Sequence, residues 1–424
     1  MTSLPTRRKP SGSWTIALAA TLGLLLTSST VLAEEKAPPD PETLTQEIER
    51  LKPLVDAQPN NAVLRQALAL TYNARGVGLA DQHQWDLSVE QFRQALALQP
   101  QNAVIERNLV QAMVGSAYAL YNARKTAQAK RLLDRALRYP NTFEGLMLAG
   151  QLAYDSQRLQ EAEGYWTKAL RMQPDAEEVK TRLAQLARER PVEDQFGKIS
   201  QQFFELRFDA NVVGDNHQLR SDLLDARRVV GQALHYFPTH KIVVLVYAEE
   251  PFRQLHRDTP EWLGGQYDGK IRIPIRSQDP PAFRRILWHE YTHALIHDLS
   301  LNRCPAWLNE GLAEYQGSTQ QAAPLTRLRD AWMAAPKRVL DVMALSSAFN
   351  YRASIEEASL AYEEARSIVG YLIERYGLWR LTRIVKRLGA GETFDAAFKA
   401  ELHVTLQTAY QRWLAALPTL LEAP

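Results

Sequence analysis

The chain has 424 residues, of which 46% are hydrophobic and 23% are charged, with 50 basic and 48 acidic residues. This length and ordinary composition allow two or three globular domains. The near-balanced charge provides no basic surface of the kind that binds nucleic acid or anionic membranes, so we expect no nucleic-acid partner. Cys304 is the single cysteine, which excludes an intramolecular disulfide, and we expect it to serve in packing.

The first 33 residues have the pattern of a secretory signal peptide. A basic run, Arg7-Arg8-Lys9, precedes an uncharged apolar stretch, and Val31-Leu32-Ala33 supplies a small-residue cleavage site. Removal of residues 1–33 leaves 47 basic and 48 acidic residues, a net charge of −1. The alternative is an uncleaved anchor, because the uncharged stretch 11–33 is just long enough to span a bilayer. We therefore expect an exported protein of a bacterial periplasm, held at the membrane only if this segment is retained.

Residues 34–192 are predicted to form an all-α repeat array. Three segments repeat a spacing of four and then three, and each is followed within five residues by a proline: Ser88-Phe92-Ala95, Ala129-Leu133-Ala136 and Ala162-Trp166-Ala169. This pattern resembles the second helix of the tetratricopeptide repeat. The steps between the segments are 41 and then 33 residues, so one helix hairpin must be longer than the standard unit. Residues 178–190 are predicted as a capping helix that ends before Pro191.

The resemblance to tetratricopeptide repeats implies a surface for a peptide or a protein partner. The alternative is a rigid spacer that binds nothing.

Residues 197–424 are predicted as a separate α+β domain. Residues 203–208 alternate as a strand, 219–236 form a helix, and 242–247 form a fully buried strand. A turn at 267–270 leads into a further strand, 271–275, and Pro274 predicts that this strand lies at the edge of its sheet.

A helix that carries two histidines follows. His289-Glu290-Tyr291-Thr292-His293 lies within residues 283–299, which contain no Gly or Pro. On a helix, His289 and His293 project from one face and can hold one metal ion, with the Glu290 carboxylate beside them. The alternative is a helix with two ordinary histidines. His297 is out of register with the pair and is expected to be an ordinary helix residue.

A second helix is predicted from Pro305 to Gln316, with Glu310 and Glu314 one turn apart on one face. One carboxylate from this helix would complete a site of two histidines and one glutamate, with a position left for water. The other carboxylate can accept a hydrogen bond from a ligand imidazole and fix its orientation. A solvated acidic face is the alternative, but the apolar neighbours Trp307 and Leu308 favour a packed helix.

These two segments, His289-Glu290-x-x-His293 and Trp307-Leu308-Asn309-Glu310-Gly311-Leu312-Ala313-Glu314-Tyr315, resemble the gluzincin metallopeptidases, specifically the bacterial peptidase MA-like domains. They are also similar to the aminopeptidase N type. The resemblance implies a zincin-like α+β fold that binds one Zn²⁺ ion per chain. It further implies that His289, His293 and Glu310 are the zinc ligands, that Glu290 is the catalytic base, and that Glu314 and Asn309 support the ligands from outside.

The same resemblance extends to a helix predicted to open at Ala361 and to run to Tyr376-Gly377. Tyr362, near its start, would stabilise the tetrahedral oxyanion, as a phenol can where negative charge develops. The Lys-Gly that follows this tyrosine in aminopeptidase-N-like enzymes is replaced by Glu364-Ala365, and ordinary packing is the alternative role for Tyr362. The resemblance also implies that the strand 271–275 pairs with an extended peptide substrate.

The sequence therefore predicts an exported zinc-dependent peptidase whose repeats recruit a substrate or a protein partner. One alternative is a cell-envelope scaffold in which the metal domain is structural or inactive. Another is hydrolysis of a non-peptide bond by the same type of site.

Overall fold

The computed structural model describes residues 41–211, 213, 217–256, 265–275, 280–319, 324–334, 342–349 and 354–422. The predicted signal segment lies outside these residues. The described chain divides into two compact units. The amino-terminal unit takes the described residues up to Tyr154 together with Arg158–Ala184, and the carboxy-terminal unit takes Asp155–Gln157 and the described residues from Gln185 onward.

The amino-terminal unit is built from consecutive helices. They are α1 (Pro41–Ala57), α2 (Ala62–Asp81), α3 (Trp85–Leu98), α4 (Ala103–Asn122), α5 (Thr126–Ala136), α6 (Phe143–Asp155), α7 (Leu159–Met172) and the first part of α8 (Glu177–Glu193). The rest of α8, from Gln185, belongs to the carboxy-terminal unit. Asn61 and Asn102 cap α2 and α4, because each side-chain oxygen accepts hydrogen bonds from the backbone N–H groups two and three residues further on.

The three repeated segments lie where the sequence predicts them, in alternate helices. Their residues are the buried faces of α3 (Ser88, Phe92, Ala95), α5 (Ala129, Leu133, Ala136) and α7 (Ala162, Trp166, Ala169). A Cβ added to Gly150 on α6 would stand 2.2 Å from the Trp166 ring, so glycine is what permits this close helix contact. The prediction that one helix hairpin is longer than the standard unit is confirmed. Helix α4, which lies between the first two segments, has 20 residues, whereas α6, which lies between the second and third, has 13.

The predicted end of the capping helix is wrong. Helix α8 continues through Pro191 to Glu193. A proline this close to a helix end removes only one backbone hydrogen bond. Glu193 is buried in an ion pair with Arg272, and this tertiary contact keeps the last turn helical.

The carboxy-terminal unit combines a small sheet with the remaining helices. The strands are β1 (Gly197–Ser200), β2 (Phe204–Phe208), β3 (Ile242–Ala248), β4 (Gln266–Tyr267) and β5 (Ile271–Ile275). The helices are α9 (His217–Ala233), α10 (Glu249–Leu255), α11 (Pro280–Ser300), α12 (Ala306–Ser318), α13 (Thr326–Ala334), α14 (Val342–Ala348), α15 (Ile355–Tyr376), α16 (Leu378–Gly389), α17 (Phe394–Leu402) and α18 (Leu406–Glu422).

The strand order of the sheet is β1-β2-β3-β5-β4. Strands β2, β3 and β5 are parallel, while β1 and β4 add antiparallel pairs at the two ends. Helix α9 connects β2 to β3, as a crossover between parallel strands requires.

The edge position predicted for strand 271–275 is only half correct. In the described part of the chain, β4 covers the first half of β5 by pairing Gln266 with Arg272 and Tyr267 with Ile271. Pro274 lies beyond this pairing and faces Tyr247 of β3 on the other side. The two-residue strand β4 is too short to show a hydrophobic alternation, so no sequence pattern predicts it.

The two faces of the sheet differ in chemistry. One face places Leu206, Val246 and Ile273 in a hydrophobic core with α9 and α11. The opposite face buries a charged network, in which Arg272 contacts Glu193, Glu189 and Asp268. Lys270, also fully buried, donates to Gln157.

A second core holds the carboxy-terminal helices together and supports the site. It contains Trp307 and Leu312 of α12, Ala365 of α15 and Trp413 of α18. None of the helices in the described ranges combines the length and apolar character needed to cross a membrane.

Candidate metal centre

Helix α11 presents the two histidines from the interior of the carboxy-terminal unit. His293 and Glu290 are buried, and the His289 side chain is 15% exposed. Tyr291 and Leu295 pack into the core beneath the sheet. The apolar residues thus fix the rotation of the helix, and the helical period places His289 and His293 on the remaining face.

Helix α12 is brought close to its neighbours by two glycines. A Cβ at Gly311 would stand 2.5 Å from the backbone oxygen of Ala365 on α15, and one at Gly317 would stand 2.9 Å from that of Arg285 on α11. Only glycine permits backbones to approach so closely. This packing delivers Glu310 to the histidine pair.

Three ligand-type atoms converge. The Nε2 atoms of His289 and His293 lie 3.0 Å apart. Glu310 Oε2 lies 3.3 Å from Nε2 of His293 and 3.6 Å from Nε2 of His289. All the ligand atoms of the group lie within 4.8 Å of one another, so the group can hold a metal ion.

The outer nitrogen of each imidazole has its own acceptor. Asn309 Oδ1 lies 3.0 Å from His293 Nδ1, and Glu314 Oε1 lies 3.1 Å from His289 Nδ1. Because an amide oxygen and a carboxylate can only accept here, each Nδ1 carries the proton. Each Nε2 is therefore the nitrogen left to bind a metal ion, which is the arrangement that coordination needs.

The distances fit a tetrahedral zinc site. Zinc binds imidazole nitrogen and carboxylate oxygen at about 2.0–2.1 Å, so neighbouring tetrahedral ligands stand about 3.3 Å apart. The three measured separations, 3.0, 3.3 and 3.6 Å, surround that value. Glu310 Oε2 is also buried and has no hydrogen-bond partner among the described residues. The donor set thus suits a small divalent cation.

The pKa shifts of His289 and Glu310 indicate that the surroundings of the cluster favour positive charge. Burial alone would lower the pKa of His289, but its contacts with Glu310 and Glu314 raise that pKa well above its usual value. Burial alone would raise the pKa of Glu310, but His293 and His289 lower it strongly. The two glutamates therefore make this a site that favours positive charge, which protonated imidazoles or a bound cation can supply.

Glu290 lies beside the cluster without joining it. Its carboxyl is buried, and burial raises its pKa above the usual value. Glu290 Oε2 has no hydrogen-bond partner within the described ranges. A buried carboxylate with a free oxygen next to a cation site is suited to proton transfer.

Tyr362 is near the cluster, but its position in the helix differs from the prediction. Its ring centroid lies 6.3 Å from that of His289 and 5.2 Å from that of Phe349. Helix α15 begins at Ile355, where Ser354 and Glu357 form a capping box, so Tyr362 lies two turns inside the helix. The Ser-x-x-Glu signal is present in the sequence and marks this earlier start.

Two residues that sequence reasoning missed also contact the site. Arg285 donates to Glu314 Oε2 at 2.9 Å, which places a positive charge behind the carboxylate that holds His289. Gly265 lies against the Glu290 carboxylate. Neither contact is indicated by a local pattern, because an arginine one turn before a histidine is common and Gly265 lies outside the helix.

Cys304 and His297 lie outside the cluster. Cys304 packs against the carboxy-terminal core, and burial raises the pKa of its thiol. The His297 ring meets Tyr267 edge-on, with the ring centroids 5.5 Å apart.

Residues 255–419 match the family model of the Peptidase MA superfamily. No curated protein matches the chain at a significant level. The matched range includes α11, α12 and α15, which carry His289, His293, Glu310, Glu290 and Tyr362, and it also includes Gly265. The match supports a peptidase MA-like domain in this part of the chain.

Proposed function

We propose that this chain is an exported zinc-dependent peptidase. The observation that carries the proposal is the convergence of two imidazole Nε2 atoms and the Glu310 carboxylate beside the buried Glu290. His289, His293 and Glu310 would hold one zinc ion. Such an ion supplies a positive charge that polarises a carbonyl and lowers the pKa of water to about 7.

Each side chain then has a defined task. Glu290 would accept a proton from water at its free Oε2 and return it to the leaving nitrogen, a contribution of about 10²–10⁴ in rate. Asn309 and Glu314 hold the imidazole tautomers through the Nδ1 contacts. Tyr362 would donate a hydrogen bond to the developing oxyanion. The last residues of β5, beyond the reach of β4, would pair with an extended peptide.

The amino-terminal helices would recruit the substrate or a protein partner. Their support is the repeated buried spacing of α3, α5 and α7, which is typical of tetratricopeptide arrays. Such arrays bind peptides or proteins on an exposed helical surface. Export rests on the signal-peptide pattern of residues 1–33, and the protein would be membrane-anchored only if that segment were retained.

The decisive experiment combines metal analysis with proteolysis. Wild-type protein should bind about one zinc per chain and cleave denatured proteins or a mixed peptide library. His293→Ala should lose both zinc and cleavage. Glu290→Gln should keep zinc and lose about 10²–10⁴ in kcat. His217→Ala, at an exposed position of α9, is the matched control and should behave as wild type.

Two results would contradict the proposal. Glu290→Gln with unchanged activity would show that Glu290 is not the base. Wild-type protein that binds zinc and cleaves nothing in the library or the envelope proteome would favour the scaffold alternative, with a structural metal domain.

A further inference from the structure

Gly265 lies in direct contact with the carboxylate of Glu290. A Cβ built on Gly265 would stand 2.8 Å from Glu290 Oε1, 2.9 Å from its Cγ and 3.1 Å from its Cδ. Nonbonded carbon atoms prefer separations of about 3.5–4.0 Å. Even the smallest side chain at residue 265 would therefore overlap with the Glu290 side chain.

Two contacts hold the backbone of residue 265 in this place. Immediately after it, Gln266 and Tyr267 pair with β5. The Tyr267 ring then packs edge-on against His297, seven residues beyond Glu290 on the same helix. The start of β4 is thus attached both to the sheet and to α11, so it cannot withdraw from Glu290 without loss of these contacts.

The overlap would move the Glu290 side chain and leave the backbone of the surrounding helices in place. The atoms that a Cβ would meet belong to the outer part of a flexible side chain. At Gly311, in contrast, the added Cβ would meet the backbone oxygen of Ala365 at 2.5 Å, and whole helices would have to move. Glu290 Oε2 has no hydrogen-bond partner in the described residues that would resist the movement.

We propose that Gly265 is a positioning residue for Glu290: its bare backbone forms the wall that sets the rotamer of the catalytic carboxylate. The inference rests on the proposed function for its catalytic consequence, but the contact can be tested without it. A shift of about 1 Å in a catalytic group is enough to cost about 10²-fold in rate.

The first test is structural. Gly265→Ala should fold, with a melting temperature within a few degrees of the wild-type value. It should bind the same amount of zinc as wild type, because the substitution touches none of the three ligands. Its crystal structure should show the Glu290 carboxylate moved by roughly 0.5 Å or more. Gly370→Ala is the matched control, since its Cβ would meet nothing nearer than the Tyr315 ring at 3.9 Å.

The second test is a double-mutant cycle on peptide cleavage. Gly265→Ala should lower kcat by about 10- to 100-fold with little change in KM. Glu290→Ala removes all three atoms that the added Cβ would meet, Cγ, Cδ and Oε1. Gly265→Ala should therefore lower the residual kcat much less in the Glu290→Ala background than in wild type. Additive effects of the two substitutions would show that Gly265 acts independently of Glu290.

The outcomes separate this inference from the proposed function. If wild-type protein binds zinc but cleaves nothing, the proposed function fails. The position of Glu290 in the Gly265→Ala crystal structure still shows whether residue 265 sets the position of that carboxylate. If that variant keeps the Glu290 carboxylate in place, or keeps full kcat in an active enzyme, the positioning role is wrong.

Discussion

His289 is oriented by a chain of contacts that extends away from the cluster. Arg285 donates to Glu314 Oε2, and Glu314 Oε1 in turn accepts from His289 Nδ1. Burial alone would raise the pKa of Glu314, but His289 and Arg285 hold it at about 2. Glu314 is therefore ionised at neutral pH and keeps the His289 proton on Nδ1.

This chain of contacts predicts a graded loss of metal affinity. Glu314→Gln should weaken zinc binding by about 10- to 100-fold, because the charged acceptor on His289 is lost. Arg285→Gln should weaken it by about 3- to 10-fold, because Glu314 remains but is less firmly held. Zinc titration with a competing chelator measures both effects.

The neighbouring Arg284 provides a control for the Arg285 prediction. It pairs with Asp222 on α9 and does not contact the cluster. Arg284→Gln should leave the zinc dissociation constant unchanged. An equal loss in the two arginine variants would indicate a general charge effect and not a contact through Glu314.

Sequence patterns predicted the residues of this cluster better than they predicted the residues that contact the cluster from other parts of the chain. The spacing of His289 and His293 determines their common helix face, as that of Glu310 and Glu314 does on α12, whereas Asn309 was implied only by the family resemblance. Gly265 depends on a contact between a strand and a distant helix, which no local pattern encodes. An arginine four residues before a histidine is common on solvated helices, so Arg285 could not be assigned from spacing alone.

At the scale of elements, the face of the sheet opposite α9 and α11 carries a buried charged network beside a small hydrophobic cluster of Leu245, Tyr247 and Phe252. Glu193 of α8 accepts hydrogen bonds from Tyr247 of β3 and Arg272 of β5. Burial alone would raise the pKa of Glu193, but Arg272 and Lys270 lower it to about 2. The carboxylate is thus held ionised inside the unit.

Glu193 should therefore contribute stability that depends on pH. Its folded pKa lies below the ordinary value of 4.5, so its contribution is fully present above about pH 4.5 and is lost as the pH falls toward 2. Glu193→Gln should lower the free energy of unfolding by about 3 kcal/mol at neutral pH, because buried Arg272 loses a partner. Urea unfolding should show a smaller difference near pH 3.

Asp194→Asn, at the residue that follows the end of α8, is the control. The Asp194 side chain is 49% exposed and pairs with Arg190, so its loss should cost less than about 1 kcal/mol. If Glu193→Gln differed from wild type equally at both pH values, ionised Glu193 would not be the source of the stability.

Elements with a strong periodic signal were predicted correctly, and those that depend on tertiary contacts were not. The buried faces of α3, α5 and α7, and the alternation of β2, matched expectation. The start of α15, the continuation of α8 past Pro191 and the partial cover of β5 by β4 did not. Helix α8 is extended by a contact with a distant strand, β4 is too short to show a pattern, and the start of α15 is marked by a local capping box that was not used.

At the scale of the whole molecule, one compact unit is a helical array and the other carries the group of two histidines and one glutamate that could hold a metal ion. The change from helical repeats to alternating strands was readable from composition and period.

The signal-peptide pattern predicts that the mature chain begins at Glu34. Amino-terminal sequencing of protein from the soluble envelope fraction tests this, and an intact Met1 in the membrane fraction would instead indicate a retained anchor.

Helix α12 alone supplies Asn309, Glu310 and Glu314, so the site depends on the angular phase of a single helix. One inserted residue between Trp307 and Asn309 would rotate everything after it by about 100° and advance it by about 1.5 Å. All three side chains would then turn away from the imidazoles together. An insertion in the connection between Ser300 and Ala306 could be absorbed as a larger loop, which leaves the phase intact. Related sequences that keep these three side chains should therefore differ in the length of the connection before α12. They should have no insertion within the first three turns of α12.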